Sequence, residues 1–481
     1  MATITSLGIG SGLDIESLIG KLVAVERSPI AALQKEQSSL QTRLSTYGKL
    51  QSAMSSLRDA AATLSRAATW QATTGVSADP VAVGVSTGAA TLPGSYAVQV
   101  QQLASAQANA TGVYTSADAL VGEGTLHIEL GSWSADGSSF TPKAGASVLD
   151  IDVGPPAQSL AQLRDKINAS NCGVVASVLT DAAGARLVLR SATMGAANGF
   201  RVGVTDTDGN NSDGLGLSAL AYDSSAGVLT MARALAAANA AATLNGLAVS
   251  SASNTLSDVV DGLTLTLGKV TAAPVQVDAR ADTASMRKAI DGFVGAYNEL
   301  NKLIAEQTKY DAASKTAGTL QGDSAAIAIR AEMRKLVGAS SGASTSFGRL
   351  ADVGFDVGTD GSIKLDETKL ANGLANLPEL RKLFANDDLL DDANDGIATR
   401  MRGLADRFLG VDGSISTRQE GLRQRIDRNQ DRQEQLEDRI AMVEKRLRAQ
   451  YSALDRQMAT LTSLSGYVSQ QMQMLTRRSE S

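Results

Sequence analysis

Residues 417–475 read TRQEGLRQRIDRNQDRQEQLEDRIAMVEKRLRAQYSALDRQMATLTSLSGYVSQQMQML. No proline interrupts them, and their only glycines are Gly421 and Gly466. The apolar residues fall three and four apart: Leu422, Ile426, Leu436, Ile440, Val443, Leu447, Tyr451, Leu454, Met458, Leu461, Val468, Met472 and Leu475. That period lays one narrow stripe along one helix face, the seam of a coiled coil. Two successive steps of four, Val443 to Leu447 to Tyr451, break the heptad as a stutter does and predict a locally relaxed supercoil. At 1.5 Å per residue the helix is about 90 Å long. A rod of that length cannot bury its own stripe, so it requires a partner.

The remaining surface of this helix is charged with both signs. Arg418 to Arg448 holds nine Arg or Lys and seven Asp or Glu, with Glu420–Arg423, Arg428–Asp431 and Glu444–Arg448 at helical neighbour spacing. Interspersed signs mark a solvated, salt-bridged face rather than a DNA-reading basic region. Beyond Leu454 the composition turns to Gln, Ser, Thr and Met, an uncharged and adaptable surface expected to meet another molecule.

Residues 1–66 mirror this end. Gly8 to Gly12 reads as a flexible start, and its spacing does not fit a dinucleotide-binding loop. Asp14 reads as a helix N-cap with Glu16 in the first turn, opening a short helix that carries Ile15, Leu18, Ile19, Leu22 and Val23. Pro29 is expected to interrupt it, with Ser28 and Pro29 as N-cap and first residue of a second helix. That helix repeats apolar residues every seven, Leu33, Leu40, Tyr47, Met54 and again Leu50, Leu57, Leu64, with Gln37 and Gln51 as polar interruptions. Its natural partner is the C-terminal helix. The two chain ends then pair and hold the interior between them.

The chain has 481 residues, more than one core usually serves, so several domains are expected. A net charge of −6 argues against a nucleic-acid partner, and 4% aromatics leaves cores built from Ala, Leu, Val and Ile. A single cysteine, Cys172, excludes an intrachain disulfide framework. No ordinary secretory signal opens the chain, and no run is apolar enough for a membrane span.

Residues 107–283 are rich in Gly, Ser, Thr, Asp and Asn, with short alternating runs. His127–Leu130, Leu149–Val153 and Phe200–Val204 read as strands, Ser159 as a helix cap, and Val174–Val178 with Arg186–Arg190 as a hairpin. Asn245-Gly246 is a two-residue hairpin turn, and Leu263, Leu265 and Leu267 alternate as a final strand. Two small β-rich modules are expected here, consecutive or nested. From 284 the helical period returns with Met286, Ile290, Phe293, Val294, Tyr297, Leu300 and Ile304, then Ile327 to Leu336.

The expected fold is therefore α+β and multidomain: a long terminal coiled coil, a helical-bundle domain and two β-rich insertion modules. The expected boundaries are 1–66 for an N-terminal leg, 67–106 and 284–416 for two parts of the helical domain, 107–283 for the β modules, and 417–481 for a C-terminal leg.

A family resemblance runs along the whole chain. Gly8-Ile9-Gly10-Ser11-Gly12-Leu13-Asp14-Ile15-Glu16-Ser17-Leu18-Ile19, then Glu26 and Pro29, resembles the start of the flagellar hook-associated protein 2 family, the filament-capping proteins. Gly94-Ser95-Tyr96 to Leu103-Ala104-Ser105-Ala106, Phe293-Val294-Gly295-Ala296-Tyr297-Asn298, Gly318 to Asp323, and Val353-Gly354-Phe355 to Leu365-Asp366 follow in that family's order. The stretch from Ser159 to Val204 resembles the insertion motif shared with flagellins and hook proteins. The resemblance implies a homo-oligomeric ring at the distal tip of the bacterial flagellum, exported unfolded with an export chaperone as a partner and promoting flagellin insertion beneath it. The residues it places at filament or subunit interfaces are Leu18, Leu22, Leu33, Leu40 and Tyr47 of the first leg, with Leu436, Ile440, Leu447, Leu454, Met458, Leu461, Val468 and Met472 of the last. An adhesin whose β modules bind host glycans or mucin is the alternative.

Candidate chemistry is sparse, and no cofactor, metal or catalytic residue is assigned. His127 reads as a cross-strand residue, and a Cys172–His127 dyad lacks a third group. Asp356, Asp360, Gly361, Ile363 and Glu367 stand at calcium-loop positions, but Gly358 takes the third ligand's place and an Asp360-Gly361 hairpin turn fits better. Asp206 to Asn210 reads as an exposed loop. A two-carboxylate glycosidase finds residues enough among 50 Asp and Glu, but few aromatic platforms for a sugar.

Overall fold

The computed structural model describes residues 14–479, so the glycine-rich opening lies outside them. In chain order the helices are α1 (Ile15–Ser65), α2 (Ala67–Gln71), α3 (Leu160–Ser170), α4 (Thr283–Thr308), α5 (Ser324–Val337), α6 (Glu367–Ala375), α7 (Leu377–Ala385), α8 (Ile397–Leu409) and α9 (Ser414–Ser479). The chain divides into two compact units, Met1–Trp70 with Met286–Ser481, and Gln71–Ser285.

The first unit is built on α1 and α9. Asp14 caps α1 as expected, its carboxylate accepting from the Ser17 amide at 3.0 Å. Pro29 does not divide the helix: α1 runs unbroken through it, and Ser28 opens no second helix. Pro29 and Val25 are both exposed. The carbonyl that proline leaves without a donor therefore faces water, which can satisfy it. Further along, Leu50, Leu57, Ala61 and Leu64 are fully buried, and α8 packs on this part of the unit against α1, α5 and α7. Each such leucine contributes about 2 kcal/mol of burial.

Every apolar residue expected to bury on α4, from Met286 to Ile304, does so. Asn298 on that helix clamps a hairpin, donating to the Ile363 carbonyl at 2.8 Å and accepting from its amide at 2.7 Å. The hairpin pairs Phe355–Val357 with Ile363–Leu365 around Gly361, whose φ of +84° is the reason a glycine stands there. Of the calcium-loop residues, Asp360 and Gly361 are spent on this turn, Asp360 accepting from the Ser362 amide and hydroxyl, while Glu367 opens α6 and pairs with Arg287. Trp70 stacks on Phe384 at 5.5 Å, and Phe384 meets Phe355 at 5.6 Å within the core of this unit.

The second unit holds two β modules, one nested in the other. The outer module has a five-stranded antiparallel sheet in the order Thr73–Ser77, Val275–Ala281, Gly94–Gln102, Ala240–Leu244, Leu247–Ser251. A three-stranded sheet, Thr255–Val260, Leu263–Leu267 and Val83–Thr87, shares its core of Val98, Val100, Leu256, Leu265 and Val277. Two expectations change here. Strands Thr73–Ser77, Val83–Thr87 and Gly94–Gln102 belong to this unit and not to the helical one, because their partners lie far along the chain. Leu263–Leu267 is not the final strand either, since Val275–Ala281 follows it between two neighbours. Asn245 and Gly246 make the expected tight turn, at φ +49° and +85°.

The inner module leaves the outer one after Gly94–Gln102 and returns before Ala240–Leu244. Entry and exit run side by side, Ser105 and Ala238 exchanging two backbone hydrogen bonds of 3.0 and 3.1 Å. Its larger sheet centres on Gly124–Trp133, flanked by Gly199–Asp206 on one edge and by Phe140–Pro142 and Leu149–Val153 on the other. The hairpin Val174–Asp181 with Gly184–Ser191 carries its second sheet. Ser159 caps α3 with a reciprocal Gln162 contact, and Leu160, Leu163 and Ile167 enter a core with Phe200 and Leu187.

Candidate assembly surfaces

The sequence period predicts a seam, and the structure shows where it runs. Gln51 accepts from Gln419 at 3.0 Å, Gln37 accepts from Gln433 at 2.8 Å, and Glu16 holds Arg448 at 2.6 Å. Rising numbers on α1 meet falling numbers on α9, so the helices are antiparallel. Both polar interruptions read from the heptads are thus cross-helix amide pairs. Leu33 and Leu40 flank Gln37, half-buried and buried, and Tyr47 is buried nearer the base. Glu16, then Glu444, keep the Arg448 guanidinium more firmly protonated than usual.

At the far end the seam consists of Ile15, Ile19, Val23 and Ile30 against Ile440, with Leu436, Leu447 and Tyr451 packed on it. Leu18 and Leu22 are not in it: they are 41% and 39% exposed. The stripe follows the 15, 19, 23 row, and a residue one step before that row turns about 100° away from it. The same register brings the described start of α1 opposite residues near Tyr451. From there α9 continues to Ser479, and no residue of α1 among the described ones faces it. Leu454, Met458, Leu461, Leu464, Tyr467, Val468 and Met472 are all exposed on this overhang.

The remaining candidates have local roles. His127 bonds Asp150 through Nδ1 at 2.6 Å and Thr205 through Nε2 at 2.9 Å. Carboxylate, imidazole and hydroxyl in that order also occur in hydrolases. Here they span three adjacent strands on the outward face, next to a like pair, Thr125 donating to Asp152 at 3.2 Å. They form a cross-strand ladder, legible in the Asp150–Asp152 alternation but overlooked in the sequence. Cys172 packs on the inner core with its thiol toward the Val174 carbonyl at 3.7 Å, so it makes no dyad with His127. Thr207 to Asn210 are exposed as expected, whereas Asp206 ends the strand before them and is buried, accepting from the Ser218 amide at 2.9 Å. Among the described residues no helix is long and apolar enough to cross a membrane.

A two-helix leg with an exposed extension, a helical base and nested β modules define a structural protein of large assemblies, one whose working parts are surfaces. Comparison with known proteins gives the same class a family. Residues 11–107 match the model of the flagellar hook-associated protein 2 N-terminus, 237–463 that of its C-terminus, and 144–193 the flagellin hook IN motif. Flagellar hook-associated protein 2 of Escherichia coli strain K12 is 30% identical over 483 residues, covering 98% of this chain and 99% of that one. Its counterpart in Salmonella typhimurium strain LT2 is 30% identical, covering 98% of each. The crystal structure of the D1-D2-D3 domains of the flagellar cap protein FliD from Escherichia coli superposes with a TM-score of 0.58 at 28% identity, covering 79% of this chain and 99% of that one. The chain belongs to the flagellar hook-associated protein 2 family, and it is a structural protein of the flagellar cap.

Proposed function

We propose that this chain works as a homo-oligomeric ring at the distal tip of the filament, outside the cell, with its α1–α9 legs set into the filament end and flagellin folding and inserting beneath it. The observation that carries the reading is the overhang of α9. Between Asp455 and Met474 it extends for about 30 Å, and its stripe of Leu461, Leu464, Tyr467 and Val468 is open to solvent. A coiled-coil stripe of that length exposed on a single chain is suited to docking between helices of another body. Leu18 and Leu22, exposed on the companion helix, add further apolar surface to the leg before the overhang begins.

The work needs no covalent step. A ring that binds the incoming subunit differently in two arrangements of its legs advances by differential binding alone. With one cysteine and no disulfide to form, the chain can pass unfolded through a narrow export channel, and an export chaperone would shield the leg stripe beforehand. His127 and Cys172 are both engaged within the β module, and we assign them no catalytic part. Host-glycan adhesion draws no support from the relatives, which are named for hook association and capping.

Hydrogen exchange on the free chain and on chain seated at filament ends tests the reading. Residues 455–474 should exchange rapidly when free and slowly when seated. Strong protection in the free chain would show that the extension is already covered, and the docking role would fall.

A further inference from the structure

All the methionines except Met1 lie among the described residues, and exposure divides them. Met54, Met231, Met286, Met333 and Met401 are at most 1% exposed. Met194, in the β unit, has its sulfur against the Asn254 side-chain amide at 3.6 Å. The other four, Met442, Met458, Met472 and Met474, all stand on α9 beyond Ile440 and are 67%, 39%, 62% and 61% exposed. Cys172, the remaining sulfur, packs on the inner β core. The sulfur atoms most open to solvent are therefore gathered on the leg.

Their places on the helix differ. Met458 and Met472 belong to the docking stripe, each four residues after another member of it, Leu454 and Val468. Met442 and Met474 stand two residues past stripe positions Ile440 and Met472, about 200° round the helix from them. A thioether is flexible and fills gaps against a partner, and it is also open to oxidation. A peroxide transfers one oxygen to it: the O–O bond breaks as the S–O bond forms, the thioether is oxidised to sulfoxide, and hydrogen peroxide is reduced to water. The sulfoxide oxygen is a strong acceptor. On the free chain it faces water. In a docked seam it loses that water and finds no donor, because helix amides are already bonded within their helices. Oxidation on the stripe thus penalises the docked state and spares the free one.

We propose that Met458 and Met472 are modification sites that control docking of the leg: oxidation by a peroxide while the leg is unseated blocks docking, and reduction of the sulfoxides restores it. The proposal rests on the docking reading above and adds a chemical control to it.

Hydrogen peroxide applied to the full-length chain tests it, with peptide mapping by mass spectrometry and attachment to filament ends as the two readouts. Met442, Met458, Met472 and Met474 should gain oxygen while Met54, Met231, Met286, Met333 and Met401 stay reduced, circular dichroism remaining unchanged. Attachment of the oxidised chain should weaken by about tenfold or more, and methionine sulfoxide reductases should restore it. Met458→Leu with Met472→Leu, of similar volume, should keep attachment after peroxide. Met442→Leu with Met474→Leu should lose it as the parent does. If the oxidised parent, with Met458 and Met472 shown to carry oxygen, attaches like the untreated one, the control is wrong while the docking reading stands. Protection by the 442 and 474 pair instead would overturn the assignment to the stripe. If the untreated chain does not attach at all, the docking reading fails and this proposal with it.

Discussion

Replacing Ile19 with Ala should loosen the first turns of α1, whereas Leu22→Ala, three residues on, should leave them almost unchanged. The two side chains are of equal size on one helix. Ile19 is 1% exposed in the seam with Ile440, and Leu22 is 39% exposed. Truncating a buried Ile to Ala costs about 2–5 kcal/mol, and a site near a helix end relaxes readily, so the low end of about 2 kcal/mol applies. Residues 15–30 are held by one partner helix, so the loss falls on local opening rather than on the whole chain. At about 1.4 kcal/mol per tenfold, amides of 15–27 should exchange roughly 30-fold faster. Leu22→Ala removes less buried area and gains helix propensity, so its effect should stay below about 1 kcal/mol, less than roughly fivefold. Hydrogen exchange read by mass spectrometry resolves these peptides. Equal acceleration by the two substitutions would refute the assignment of the seam to the 15, 19, 23 row. On filament ends the order should invert, with Leu18→Ala and Leu22→Ala weakening attachment while Ile19→Ala acts mainly through stability.

Three further outcomes follow from single features of the structure. The Glu379 carboxyl is pulled down to about 2 by Lys382, then by the Ser344 hydroxyl and the Thr345 amide. A folded pKa below the unfolded one stabilises fully above the unfolded value and is lost as pH falls. Urea melts of Glu379→Gln should therefore trail the parent at neutral pH, with the gap closing as pH falls from about 4.5 toward 2; a gap independent of pH would point to lost packing instead. Excising 107–236 with two glycines in its place should leave the outer β module folded, since Ser105 and Ala238 already lie side by side; loss of its cooperative melt would show that the modules depend on each other. Changing both His127 and Cys172 to Ala should leave filament assembly and motility intact, and loss of motility with a folded, exported chain would give those side chains a role denied here.

Much of the helical part could be read locally. A helix announces itself through residues three and four apart, so the stripes from Leu436 to Tyr451 and from Met286 to Ile304 were visible without their partners. So were Asp14 and Ser159 as caps, and the Asn245-Gly246 turn, each set by the chemistry of a few adjacent residues. The paired Gln37 and Gln51 marked the seam, although which glutamines answered them was not visible.

What the tertiary structure decided depends on contacts between distant residues. The strands between 73 and 102 look like a continuation of the helical base until their partners, near 240 and 275, are brought alongside. Leu18 and Ile19 are equally apolar, and only the approach of α9 to one flank determines which is buried. Pro29 stops a helix whose lost hydrogen bond must be made inside a protein, but not one whose free carbonyl faces water. The cavity beside Tyr47 has no signature at all, because its residues come from near 43, 323 and 418 and meet only when α1, α5 and α9 pack. Periodicity and capping are written within a few residues of one another. Pairing, burial and charge convergence exist only between segments that folding has already joined.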